Sequence, residues 1–212
     1  MTGRKAKLFL WTSLLPAVAW LASCTCTGSL RPLESDEPLT AAPDLSGKWM
    51  SDAKDSSQDE YFLVENTGGQ TFCVTVVNES EDLKDVYDLS LVRVGSYVFF
   101  DAAFKETAIR ETSKSAYDLG VLPIHFIGRV WAEGDKLRLA LLDYDWMSHM
   151  ASSGRLKVPY VQEDEGDDHI LLLTAKGDEL RDFLRQYADD AAAFPEAETF
   201  RRVSRTDKPT TD

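Results

Sequence analysis

Basic residues, histidine and cysteine are all scarce in this chain. Lys and Arg total 23 against 36 Asp and Glu, so the 212 residues carry a formal net charge of −13. That deficit argues against binding to nucleic acid, whose phosphates repel an acidic surface, and against polybasic docking on anionic lipid. The three histidines, His125, His149 and His169, are scattered, and the three cysteines show no Cys-x-x-Cys or Cys/His spacing of a zinc site. There is no Gly-x-Ser-x-Gly elbow, no phosphate-cradling glycine loop and no His-Glu-x-x-His. The sequence therefore assigns no catalytic residue, no metal ligand and no cofactor. The apolar run Leu8–Leu21 is also short. A helix needs about 20 residues to cross a bilayer comfortably.

What is present at the start is the layout of an export signal. Arg4, Lys5 and Lys7 form a positive n-region, Leu8–Leu21 is uncharged, and small residues precede Cys24. The order Leu21-Ala22-Ser23-Cys24 resembles the lipobox of bacterial lipoproteins. The resemblance implies cleavage between Ser23 and Cys24, a diacylglycerol attached to the Cys24 thiol as a thioether, and acylation of the new terminus by a chain such as palmitate. It also implies residence in the cell envelope. Thr25, where an Asp would resemble an inner-membrane retention signal, favours the outer membrane of a diderm. The alternatives are an ordinary secretory signal and an uncleaved anchor. Residues 1–23 hold three basic residues and no acid, so the remainder carries about −16.

Four segments are expected: a signal peptide over 1–23, a flexible tether over 24–44, one domain over 45–203 and a polar tail over 204–212. The tether holds Pro32, Pro38 and Pro43 among polar residues without an apolar period. As a coil it would span roughly 25 Å and hold the domain clear of the headgroups. Cys26 falls in this tether and Cys73 in a strand, which argues against their pairing.

The domain reads as mainly β with some helix. Three hairpins are expected. Tyr61–Glu65 returns as Gln70–Val77, Asp85–Val94 returns as Tyr97–Phe104, and Val121–Ala132 returns as Leu137–Asp143. Period-2 alternation, as in Leu137, Leu139 and Leu141, and Gly-containing turns carry this reading. Lys105–Leu119 is polar enough for a loop or short helix. Asp145 is expected to cap a short helix stopped at Gly154. Pro159 marks an edge strand, and the acidic run Glu163–Asp168 reads as a solvated loop. Leu180, Phe183, Leu184 and Tyr187 have helical spacing, with Gly177 as N-cap and Asp178 and Glu179 in the first turn. This late amphipathic helix should pack on an antiparallel barrel or sandwich.

Gly47-Lys48-Trp49 resembles the Gly-x-Trp that opens the first strand of lipocalins and related calycin barrels. The resemblance implies a lipocalin-like barrel with Trp49 packed across its closed end. The region from Leu122-Pro123-Ile124-His125 to Leu172-Leu173-Thr174-Ala175, with the helix after it, resembles uncharacterised bacterial envelope proteins, a group without known chemistry. The insertion near Glu106–Ser115 and the extra helix at Trp146 depart from a simple eight-stranded meander.

The cavity candidates are Trp49, His125 and Trp131, His125 sharing a strand face with Ile127, Arg129 and Trp131. The other aromatics, Tyr61, Phe62, Phe72, Tyr97, Phe99 and Phe100, read chiefly as core. Asp143 and Asp145 flank Tyr144 and offer paired carboxylates for acid–base work. Glu163–Asp168 offers oxygen ligands to a cation such as calcium, without EF-hand spacing. Three functions follow. The first is a lipid-anchored, non-enzymatic envelope module binding a small apolar ligand or an envelope protein. The second is a structural accessory subunit, and the third a hydrolase without a recognisable motif.

Overall fold

The computed structural model describes residues 25–35, 39, 42–53, 57–105, 124–165, 168–195 and 197–205. The signal segment, Ser23 and Cys24 lie outside the described residues, as does most of the polar stretch from Lys105 to Leu119. Eleven strands and two helices are laid out along the chain: β1 (Thr25–Ser29), β2 (Gly47–Ser51), β3 (Glu60–Gly68), β4 (Thr71–Asn78), β5 (Leu83–Val94), β6 (Tyr97–Phe104), β7 (His125–Glu133), β8 (Lys136–Leu141), α1 (Tyr144–Ser152), β9 (Tyr160–Glu165), β10 (Asp168–Leu173), α2 (Asp178–Tyr187) and β11 (Glu198–Ser204).

Eight of these strands close an antiparallel barrel. Strands β2 to β8 pair in chain order, and β11 lies between β8 and β2. The three expected hairpins are β3–β4, β5–β6 and β7–β8. Gly134 turns the last of them at φ 60°, a region that L side chains rarely adopt. Closure leaves this meander without a free edge.

The wall residues serve two separate cores. One fills the barrel and includes Trp49, Phe72, Leu91, Phe100, Val130 and Phe200. The other lies outside, between the wall and the two helices, and includes Val92, Phe99, Ile127, Met147, Leu171 and Leu184. Parts of β5, β6 and β7 are thus buried on both faces. Adjacent apolar pairs such as Leu91-Val92 and Phe99-Phe100 follow from that, because neighbouring side chains point to opposite faces.

The outer layer corrects several expectations. The described residues of the expected tether, 25–35, 39 and 42–44, are not free of the barrel. Strand β1 pairs in parallel with β10 and meets β7 at Ser29 and His125. Leu33, Leu39 and Leu45 are buried in the two cores. The Leu33 N–H also donates to the buried Asp101 carboxylate at 2.6 Å. Isolated leucines between prolines have no period of their own, yet each fills a site offered by the barrel wall. Among the described residues, the folded unit thus includes Thr25–Ser29 and Leu33 as well as the strands up to Ser204.

The described residues of the acidic run 163–168 are strand rather than loop. Glu163–Glu165 ends β9 and Asp168 begins β10, with Glu165 opposite Asp168 in the ladder. Asp143, rather than Asp145, caps α1, its carboxylate accepting the Trp146 N–H at 2.8 Å. Gly177 does precede α2 as N-cap, and Leu180, Phe183 and Leu184 are buried beneath that helix.

Candidate functional site

The barrel interior is the candidate site, and it is built in three zones along the strands. At one end the barrel is plugged. Trp49 is fully buried and its indole Nε1 donates to the Leu45 carbonyl at 2.7 Å. The Arg202 guanidinium lies 4.6 Å from the Trp49 ring centroid. It also donates to the carbonyls of Asp44, Ser46 and Gly134 at 2.7, 3.0 and 3.1 Å, and pairs with Asp135 at 3.3 Å. A planar cation with five donors suits such a plug, since it stacks and bonds at once. The Ser46 N–H holds the Asp44 carboxyl below its ordinary value, with Arg202 acting in the same direction. Gly47 has φ 139°, and a Cβ there would lie 2.4 Å from the Ser204 carbonyl oxygen. Close approach of β11 thus requires glycine at the first position of Gly-Lys-Trp.

Above the plug lies a cavity of about 120 Å³. Its middle is lined by Val64, Val74, Val76, Leu89, Leu137 and Leu139, all inward residues of the period-2 pattern. An apolar void of comparable size, about 150 Å³, stays dry in another protein and takes up benzene.

The opposite end is acidic. Glu198 lines the cavity there and accepts the Ser51 hydroxyl at 3.3 Å. Burial pushes its carboxyl up to about 7, Ser51 opposes that rise, and the nearby Glu60 charge adds to it. Glu60 is itself buried and accepts the Asn78 amide at 3.1 Å. Burial raises the Glu60 carboxyl, and the charges of Glu81 and Asp59 add to the rise. Asp85 falls on the inward face of β5, in period with Tyr87, Leu89 and Leu91, and burial raises it too. Tyr87 is 3% exposed. Burial, with Asp85 nearby, pushes its phenol far above the ordinary value. The Tyr87 hydroxyl has no hydrogen-bond partner among the described residues. Its ring packs 4.5 Å from Phe104 and edge-on to Phe126 at 6.5 Å.

The three residues expected at the cavity are placed differently. Trp49 sits in the plug beneath the cavity. His125 lies on the outer wall, with Nδ1 2.7 Å from Asp101 Oδ1, and Asp101 also holds the Leu33 N–H. This group ties the N-terminal segment to β6 and β7. Ser29 stands opposite His125 but is fully buried, and its hydroxyl accepts the Arg31 N–H at 3.0 Å. Trp131 is also on the outer wall, flanked by the Arg129 and Arg138 guanidinium groups at 4.7 and 4.8 Å. Both faces of β7 are covered, so a shared apolar face did not distinguish inside from outside.

Sequence reasoning missed Glu60, Asp85, Tyr87, Glu198 and Arg202. A usable sign existed: the alternation of Leu91, Leu89 and Tyr87 continues back to Asp85 on the same face. Comparisons with protein-family models, curated proteins and solved structures find no match to this chain.

Proposed function

We propose that this is a lipid-anchored protein of the bacterial cell envelope, outer-membrane in a diderm, whose barrel binds a small apolar ligand without catalysing a reaction on it. The observation that carries the reading is the cavity of about 120 Å³ within a closed barrel, apolar through its middle and plugged at one end by Trp49 and Arg202. Preformed concave apolar space with a few polar groups at one end is the usual form of a small-molecule site. The test is a titration of the purified chain with benzene, read by thermal unfolding. Binding to the folded state alone raises the midpoint as benzene concentration passes the Kd. Ala102→Phe places a ring in the cavity and should abolish the rise while the chain stays folded. A midpoint unmoved by benzene in the unsubstituted chain would sink the reading.

The anchor proposal rests on Leu21-Ala22-Ser23-Cys24. Strand β1 starts at Thr25, so a lipid on Cys24 would hold the barrel close against the bilayer rather than on a long leash. Cys24→Ser should move the protein from the membrane fraction to the soluble fraction. Retention in the membrane would mean that the apolar segment itself is the anchor.

A second reading, docking of an envelope protein partner, is favoured by β9. This edge strand carries the exposed Tyr160 and Val161, and an open edge accepts an added strand.

A further inference from the structure

We propose that the ligand is an amphipathic cation, a small apolar amine whose hydrocarbon part occupies the barrel and whose ammonium group faces Glu198, Asp85 and the Tyr87 hydroxyl. The proposal rests on the cavity-binding reading above and names the chemistry of its occupant.

Two independent observations converge at one end of the cavity. The first is charge. Glu60, Asp85 and Glu198 all lie on inward faces of their strands at the end away from Trp49. Among the described residues none of the three is in an ion pair, although Asp44, Asp101, Asp135 and Asp178 each pair with a cation or histidine elsewhere. The second is a polar group without a partner. The Tyr87 side chain lines the cavity, and its hydroxyl is buried and makes no hydrogen bond among the described residues. A buried hydroxyl left so is costly and is usually satisfied by something that fits the space.

An ammonium group answers both. It offers three donors, enough for a carboxylate and a phenol oxygen together. The rings of Tyr87, Phe104 and Phe126 cluster at this end, and ring faces attract a partly desolvated cation. An apolar carboxylic acid, the mirror-image ligand, would bring a further negative charge against Glu198 and Asp85. A neutral alcohol would satisfy Tyr87 and leave the carboxylates as they are. Glu198 faces Ser51 from β2 and Glu60 from β3, and stands opposite the apolar Leu139 of β8. No cation from these neighbours competes for it.

The test is a calorimetric titration of the purified chain with four probes of one shape: benzene, benzyl alcohol, benzylamine and benzoate. Benzylamine should bind at least about tenfold more tightly than benzyl alcohol, the effect of one charge-assisted hydrogen bond, and benzoate should not bind. Glu198→Gln and Asp85→Asn should each bring the affinity for benzylamine down toward that for benzyl alcohol. In the unsubstituted chain the preference should fade as pH drops below about 7, where Glu198 takes up its proton. Benzene binding with benzyl alcohol equal to or better than benzylamine would overturn the amine proposal and leave the apolar-ligand reading standing. Binding of none of the four would overturn both.

Discussion

Trp49→Ala should destabilise the protein by about 3–5 kcal/mol, the usual cost of truncating a buried aromatic. At this chain size that corresponds to a fall of roughly 6–20 °C in the unfolding midpoint. The large effect follows from what the ring touches. Trp49 has no exposure, carries the indole bond to Leu45, and is the surface on which Arg202 stacks. Removing it leaves a void at the plugged end and deprives a buried guanidinium of its platform. Trp49→Phe keeps a ring and loses the N–H bond, so it should cost less. Differential scanning calorimetry of the two variants beside the parent checks the order. Equal and small losses for both would mean that the plug is not a structural centre.

Glu198→Gln should stabilise the protein, and increasingly so as pH rises. Burial lifts the Glu198 carboxyl from 4.5 to about 7 in the folded chain. Between those values the folded state holds a proton that the unfolded state has released. Stability falls with pH wherever the native state binds more protons. The contribution from this group is therefore most favourable below about 4.5, declines through the interval, and is fully lost above about 7. Glutamine does not titrate. The variant should match the parent near pH 4.5 and gain about 1–2 kcal/mol at pH 8, a figure that allows for solvent screening of a partly exposed group. That gain corresponds to a midpoint higher by roughly 2–8 °C. A difference between parent and variant that does not change with pH would show that Glu198 titrates normally.

The barrel was legible where one face of a strand is buried and the turn is marked. Leu137, Leu139 and Leu141 alternate after the Gly134 turn, and β7–β8 stands where that pattern puts it. Gly47-Lys48-Trp49 likewise pointed to the plugged end. The strand that closes the barrel was hidden. In β11 the inward positions are Glu198, Phe200 and Arg202, and two charged residues out of three obscure a core face. Their charges are tolerated because Arg202 stacks on Trp49 and bonds three carbonyls, while Glu198 sits at the acidic end. Thr25–Ser29 was hidden for another reason. Short polar segments reveal no period, and β1 is a strand because β10 supplies its partners. His125 and Trp131 were assigned to the face of Ile127 correctly, but that face looks outward onto a second core. Asp143 and Asp145 are two residues apart, and only the backbone geometry at Asp143 decides which one caps α1.

The central claim is that the barrel interior is open apolar space that takes a ligand. Methyl NMR of the purified chain during a benzene titration tests it most directly. Val64, Val74, Val76, Leu89 and Leu139 should shift together and saturate at one concentration, while Met147, Leu171 and Leu184 in the outer core stay in place. Shifts confined to the outer core, or none up to the solubility limit of benzene, would contradict it.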